Sequence, residues 1–229
     1  NSPWYDFQRG FIKIGEVMSG NMYWGSSPYM NFSTNGTDED LVNMSYSLWA
    51  EIGHCSTVYE SLQNATNTTE KVKNQCLGEC LTWKAMAYFY LVRTFGDVPI
   101  IHSNSETLGK GDYNQLSKVE KADVYEYIIM KLLPHEKSTT GRIDYYSAEG
   151  LLAKVYLTKA GVSGTLNKED LAKSAAYAKD VIQNSGRGLM EHYEDIFRGS
   201  NQFCDEIMIA WRWTVGSQWT SQNTLQSDL

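Results

Sequence analysis

The sequence predicts a mostly α-helical fold, built from tetratricopeptide-like helix pairs that carry long irregular loops. Apolar residues recur at helical spacing over most of the chain, which indicates amphipathic helices packed on a common core. Short polar turns separate several of these helices, and alanines stand where neighbouring helices would touch. Antiparallel helix pairs of this kind are typical of tetratricopeptide layers, although the classical repeat consensus is poorly matched.

Residues 4–18 are predicted to form the first helix, because large apolar side chains recur along one face. Gly20 ends this pattern. Residues 19–37 follow as a loop that contains no charged residue and four aromatic ones. A loop of this length inside a folded domain is usually either functional or disordered. Its aromatic side chains argue against disorder, so we expect the loop to be functional.

Apolar periodicity, together with glycine and proline stops, predicts further helices at 41–63, 70–95, 121–133, 145–160 and 168–184. The predicted inward face of the helix at 70–95 consists of Leu77, Leu81, Ala85, Tyr88, Val92 and Phe95. The predicted inward face of the helix at 168–184 consists of Leu171, Ala175, Ala178 and Ile182. Residues 101–118 are predicted to be a loop and residues 207–213 a buried strand.

Composition argues against several classes of function. The formal net charge is −7, and no basic patch with interleaved aromatic residues occurs, which argues against nucleic-acid binding. No apolar run is long enough to span a bilayer. The chain begins with Asn1 and shows no signal peptide, so we interpret it as a processed or trimmed piece.

No catalytic residue, metal site or cofactor is predicted. The sequence lacks GxSxG, HExxH and P-loop patterns, and its four histidines are scattered. Two carboxylates that meet only in the fold would leave no pattern in the sequence, so a glycoside hydrolase remains an alternative. The cysteines fit no zinc pattern and are interpreted as small buried thiols, namely Cys55, Cys76, Cys80 and Cys204.

Asp38, Glu39 and Asp40 form the densest acidic cluster of the chain. We interpret them as the N-terminal turn of the helix predicted at 41–63, where carboxylates offset the helix dipole. A calcium site is the alternative interpretation, because hard cations bind clustered oxygen ligands.

Residues 78–100 read GECLTWKAMAYFYLVRTFGDVPI. This segment closely resembles, without a gap, the hallmark helix of the SusD/RagB family of outer-membrane nutrient-binding lipoproteins. Further segments agree in the same order, so that the resemblance covers nearly all of residues 40–210. Members of the family begin with a lipidated cysteine and continue beyond the point where this chain stops. We therefore expect residues 1–229 to be a single SusD-like domain that is incomplete at both ends.

The resemblance implies non-catalytic capture of an oligosaccharide at the bacterial cell surface. The ligand would then pass to a SusC-like transporter of the TonB-dependent class in the outer membrane. Membrane attachment would run through a lipidated N-terminus that this chain lacks. Some relatives, of the RagB kind, handle peptides, so an oligopeptide ligand remains an alternative.

The uncharged loop at 19–37 is the predicted ligand site, with Trp24 as its main platform. Aromatic rings stack on the apolar faces of sugars, and amide side chains offer both donors and acceptors to hydroxyls. The predicted ligand-binding residues are Trp24, Tyr23, Tyr29, Asn21, Asn31 and Asn35. The alternative is that these rings pack beneath another part of the complete protein.

Overall fold

A computed structural model describes residues 9–109, 111, 116–132 and 143–210. These residues are mostly helical, as the sequence predicts. They form two compact units, one over residues 9–51 and the other over residues 52–210. The prediction of one domain over residues 1–229 concerns the whole chain and stays a prediction.

The main helices lie close to their predicted positions. We label them α1 to α6 in chain order: Glu39–Gln63, Glu70–Phe95, Asn104–Gly109, Lys121–Lys131, Tyr145–Lys159 and Lys168–Asn184. Short 3₁₀ turns follow at Tyr193–Phe197 and Gly199–Asn201. Among the helices of the described residues, none is long and apolar enough to cross a membrane.

The helix ends follow from capping groups that the sequence provides. Thr69 accepts a hydrogen bond from the Val72 backbone N–H at the start of α2, and Asn167 caps α6 in the same way. At the end of α2, Gly96 adopts a φ of 73°, a left-handed value that costs other residues energy. Polar caps and a glycine therefore set these boundaries.

The unit of residues 52–210 packs its helices in neighbouring pairs: α2 on α4, α4 on α5, and α5 on α6. Tyr88 of α2 meets Tyr127 of α4 edge to face, with ring centres 5.2 Å apart. The predicted inward face of α2 is confirmed from Leu81 to Val92, which are buried. Phe95 at the end of the same stripe is 38% exposed, because the helix has by then passed the packed layer.

The predicted inward face of α6 is wrong at two of its four residues, whereas Leu171 and Ala178 are half-buried. Ile182 is 77% exposed, and Ala175 is exposed as well. Instead Ser174 faces α5 and donates a hydrogen bond of 2.8 Å to the Ala153 carbonyl. Tyr177 stacks on Tyr156 with ring centres 5.8 Å apart. Polar and aromatic contacts complete the packed face of this helix, so the apolar periodicity placed Ala175 and Ile182 wrongly.

Two further predictions need correction. The predicted loop at 101–118 contains α3, and residues 207–210 are irregular rather than a strand. The carbonyls of this segment are taken by side chains: Ser147 donates to Met208 at 2.8 Å and Arg187 to Ile207 at 3.1 Å. Side chains rather than a neighbouring strand therefore satisfy these two carbonyls. Residues 211–213 of the predicted strand lie outside the described residues.

All four cysteines are thiols rather than disulfides. Cys55 is buried as predicted, whereas the other three are half-buried. Cys76 and Cys80 lie near the N-terminal end of α2, ahead of the fully packed part of that helix.

Lys84 is a charged residue inside the packed layer of α2. Its side chain is buried, and its Nζ donates hydrogen bonds to Ser56 Oγ at 2.8 Å and to the His102 carbonyl at 3.5 Å. Burial, reinforced by the charge of Lys131, lowers the pKa of Lys84 from 10.5 to about 8.

We predict that Lys84 makes stability rise with pH. The unfolded chain holds this proton more tightly than the folded protein, so stability is regained as pH rises from about 8 towards 10.5. Lys84→Met should raise the free energy of unfolding near neutral pH, by up to about 3 kcal/mol, and flatten this rise. Urea denaturation at a series of pH values measures both effects. The exposed Lys118, changed to Met, serves as the control, and equal pH slopes in wild type and Lys84→Met would contradict the prediction.

Candidate ligand-binding pocket

A concave, open pocket of about 790 Å³ lies in the unit of residues 9–51. Its described lining consists of Lys13, Met22, Tyr23, Trp24, Gly25, Ser26, Ser27 and Pro28. The pocket therefore uses the first half of the loop predicted at 19–37, together with one residue from the preceding helix.

The helix that leads into the loop ends in an unusual way. Residues 9–12 are α-helical, and Lys13–Val17 continue as a π turn in which the Met18 N–H donates to the Lys13 carbonyl at 3.0 Å. Gly20 then adopts a φ of 82° and turns the chain into the loop, as the sequence predicts. Single π turns inside helices occur often at functional sites, where they shift one side chain out of the regular register.

Backbone hydrogen bonds fold the loop on itself. The Ser27 N–H donates to the Trp24 carbonyl at 3.2 Å, and the Ser33 N–H donates to the Pro28 carbonyl at 2.9 Å. These turns are local, so the shape of the pocket wall is set by residues close in sequence.

Tyr29 is the buried anchor of the loop. Its side chain is 1% exposed, and its hydroxyl donates a hydrogen bond of 2.6 Å to Asp38 Oδ1. Burial, strengthened by the neighbouring Asp38 carboxylate, raises the pKa of Tyr29 well above its usual range. The structure thus places this predicted ligand residue under the loop rather than in the pocket.

Asp38 also begins α1. Its Oδ1 accepts from the backbone N–H groups of Asp40 at 3.1 Å and Leu41 at 3.2 Å, which is an N-cap. Glu39 and Asp40 occupy the first turn that follows. The acidic cluster is therefore the start of a helix, as we interpret it from the sequence, and one of its carboxylates also holds Tyr29.

Lys13 contributes a charge to the pocket wall. Its ammonium forms an ion pair with Asp40, and the two side chains are 12% and 17% exposed. Lys13 Nζ also lies 5.2 Å from the centre of the Trp24 ring and 5.4 Å from that of Tyr29. Cation–π attraction of this kind holds a ring against a fixed charge. Lys13 escapes sequence analysis because its position on a predicted helix gives no signal of a pocket nearby.

The other predicted site residues divide into two groups. Trp24 and Tyr23 line the pocket, Trp24 half-buried and Tyr23 79% exposed. The amide oxygens of Asn31 and Asn35 accept local bonds from Ser33 and Thr37, while Asn21 donates to Glu16. The three asparagines shape the loop and are not among the described lining residues.

Comparison with known proteins gives consistent matches along the chain. A family profile described as "Starch-binding associating with outer membrane" matches residues 10–157. A SusD-like protein of Bacteroides ovatus is 32% identical over 241 residues, which cover 100% of this chain and 44% of that protein.

Solved structures agree with the sequence matches. One relative, solved as a crystal structure with a xylogluco-oligosaccharide, is 30% identical in sequence and has a TM-score of 0.85. The match covers 99% of this chain and 47% of the relative's chain. A SusD superfamily protein from Parabacteroides distasonis is 25% identical, with a TM-score of 0.76, over 90% of this chain and 45% of that one. The chain thus spans less than half the length of these relatives.

We predict that the Tyr29–Asp38 hydrogen bond stabilises the loop. Tyr29→Phe should lower the free energy of unfolding by about 1–3 kcal/mol, because a bond from a buried hydroxyl to a carboxylate is lost. Tyr23→Phe, at a ring that is 79% exposed, is the matched control and should change little. Urea denaturation of the two variants beside the wild type measures the difference. Equal stability of Tyr29→Phe and the wild type would show that the bond contributes nothing.

Proposed function

Because the chain belongs to the SusD-like family of starch-binding proteins associated with the outer membrane, we propose that it captures a neutral oligosaccharide without transforming it. The pocket around Trp24 is the proposed point of contact. The observation that carries the proposal is an open pocket of about 790 Å³ whose wall combines aromatic rings with small polar residues. Pockets that combine ring faces with a few polar groups are suited to ligands that are apolar on one side and hydroxylated on the other.

The composition of the wall favours a sugar over a peptide. Ser26 and Ser27 offer hydroxyls, and the backbone at Gly25 carries no side chain to block approach. Lys13, the charged residue of the described lining, is paired with Asp40 and is therefore engaged before any ligand arrives. A peptide site commonly offers a charge for a chain terminus, whereas a neutral sugar needs none. The relative solved with a xylogluco-oligosaccharide supports the same ligand class.

A non-catalytic role accords with what surrounds the pocket. Two carboxylates that contact the loop and its wall, Asp38 and Asp40, already hold Tyr29 and Lys13. A glycosidase needs two carboxyl groups directed at the scissile bond, one of them protonated. Carboxylates that cap a helix and pair with an ammonium are poorly placed for either role.

We predict that Trp24→Ala weakens glycan binding by about five- to thirtyfold. A ring stacked on a sugar contributes on the order of 1–2 kcal/mol, from buried apolar area and ring contacts. Isothermal titration of the full-length protein with neutral oligosaccharides, including a xylogluco-oligosaccharide, measures the loss. The oligosaccharide should be recovered intact by mass spectrometry.

Phe32→Ala is the matched control for this experiment, because Phe32 is 68% exposed in the same loop but outside the described lining. Unchanged affinity in a folded Trp24→Ala protein would remove Trp24 from the site. A collapsed melting temperature would show instead that the ring has a packing role. Cleavage of the sugar that disappears on changing one carboxylate would overturn the non-catalytic role.

We further propose that the captured sugar passes to a SusC-like, TonB-dependent transporter at the cell surface. This step rests on the family's association with the outer membrane. Affinity purification of the tagged full-length protein, from membranes in mild detergent, should recover a large outer-membrane transporter. Recovery of the protein as a monomer under the same conditions would contradict the proposal, and a tagged unrelated lipoprotein is the control.

A further inference from the structure

The wall of the Trp24 pocket contains the charged side chain of Lys13, and the contacts of that side chain bear on which ligands the pocket accepts. Lys13 belongs to the described lining, and the other described residues that line the pocket are uncharged. Its ammonium pairs with Asp40, and both side chains are more than four-fifths buried, at 12% and 17% exposure. The charge is therefore present in the wall but is neutralised by its partner.

The ammonium of Lys13 also lies close to two aromatic rings. Lys13 Nζ lies over the Trp24 ring at 5.2 Å from its centre, and 5.4 Å from the centre of Tyr29. One face of the Trp24 ring is thus held by a cation.

A second carboxylate of the same turn is occupied by other groups. Asp38 accepts the Tyr29 hydroxyl and two backbone N–H groups at the start of α1, where the helix dipole offsets its charge. Asp40 is therefore the carboxylate of this turn that pairs with Lys13.

We infer that Lys13 and Asp40 form a charge-neutral clamp, which makes the Trp24 pocket select neutral glycans over acidic ones. The inference rests on the proposed glycan capture and adds the pair of residues that enforces the choice of a neutral ligand. An unpaired ammonium in the wall would bind a uronic-acid carboxylate or a sulfate through a charge-assisted hydrogen bond. Asp40 occupies the ammonium and repels such an anion, so selection arises from an unfavourable contact with the wrong ligand.

The backbone brings the two members of the clamp together. A Cβ atom at Gly10 would stand 2.9 Å from the Asp40 carbonyl and 2.8 Å from the Met44 Cβ, so the N-terminal helix approaches α1 as closely as a glycine permits. The π turn that starts at Lys13 follows directly. The close approach at Gly10 and the π turn together place the Lys13 side chain between Asp40 and Trp24.

The first test measures the local charge without any sugar. Quenching of tryptophan fluorescence by iodide and by acrylamide is compared in the full-length protein. The contribution of Trp24 is obtained by subtracting the fluorescence of the same protein carrying Trp24→Phe. Asp40→Asn should raise iodide quenching of Trp24 about twofold while acrylamide quenching stays constant, because the ammonium is no longer neutralised. Glu39→Gln removes the same charge from an exposed residue of the same turn and should change neither.

The second test measures ligand choice. Its probes are a xylogluco-oligosaccharide, a cello-oligosaccharide, and the same cello-oligosaccharide with its primary alcohols oxidised to carboxylates. Asp40→Asn should bind the oxidised probe about tenfold more tightly than the wild type, or about 1.4 kcal/mol. Glu39→Gln should match the wild type. The double variant Lys13→Met/Asp40→Asn should lose this added affinity for the oxidised probe, which would show that Lys13 provides the added affinity.

Lys13→Met provides a second route if Asp40→Asn does not fold. It leaves the Asp40 carboxylate uncompensated, so iodide quenching of Trp24 and binding of the oxidised probe should both fall. Unchanged quenching in the folded variants, or wild-type protein that binds the oxidised and neutral cello-oligosaccharides equally, would overturn the clamp while leaving glycan capture intact. Wild-type protein that binds no neutral glycan would overturn the proposed function instead.

Discussion

The first turn of α1 is the constraint on which the pocket depends. A helix start leaves backbone N–H groups without partners, and Asp38 satisfies two of them with one carboxylate oxygen. The same oxygen accepts the Tyr29 hydroxyl, so capping the helix and closing the loop are a single arrangement. Asp40, two residues further on, holds Lys13. The carboxylates of Asp38 and Asp40 thus connect α1 to the loop at 19–37 and to the preceding segment that contains Lys13. The position of Trp24 depends on these connections.

The unit of residues 52–210 uses buried polar groups in a comparable way. Lys84 ties α2 to Ser56 of α1, and Lys159 of α5 pairs with Asp170 of α6 at 3.0 Å. Asp144 caps α5 and also accepts from Arg187 at 3.0 Å. Each group costs free energy to bury and is tolerated because a specific partner satisfies it. Such pairs fix the register between helices more narrowly than apolar contacts do, since a shifted helix would leave a charge unpaired.

Much of the helical layer could be predicted from the sequence, because its helices are long, periodic and bounded by recognisable caps and stops. The face of α6 could be predicted only in part, since Ser174 and Tyr177 pack inward through a hydrogen bond and a ring stack that periodicity does not weigh. For the pocket, the absence of charge and the density of rings identified the loop that contains Trp24. The different placement of Tyr29, and the presence of Lys13, depend on contacts between residues nine and 27 positions apart, which no local pattern encodes.

The contrast between Trp24 and Tyr23 bears on how the proposed site would hold a neutral sugar. Trp24 is half-buried and lies against the Lys13 ammonium, so stacking a sugar on it would cost little conformational entropy. Tyr23 is 79% exposed beside it, so a sugar that used this ring would have to order it on binding. A ring already held in place provides affinity at a lower entropic cost than a ring that is ordered only on binding. Since hydroxyl groups interact with protein only slightly more favourably than with water, rigidity of the platform determines how tightly such a pocket can bind.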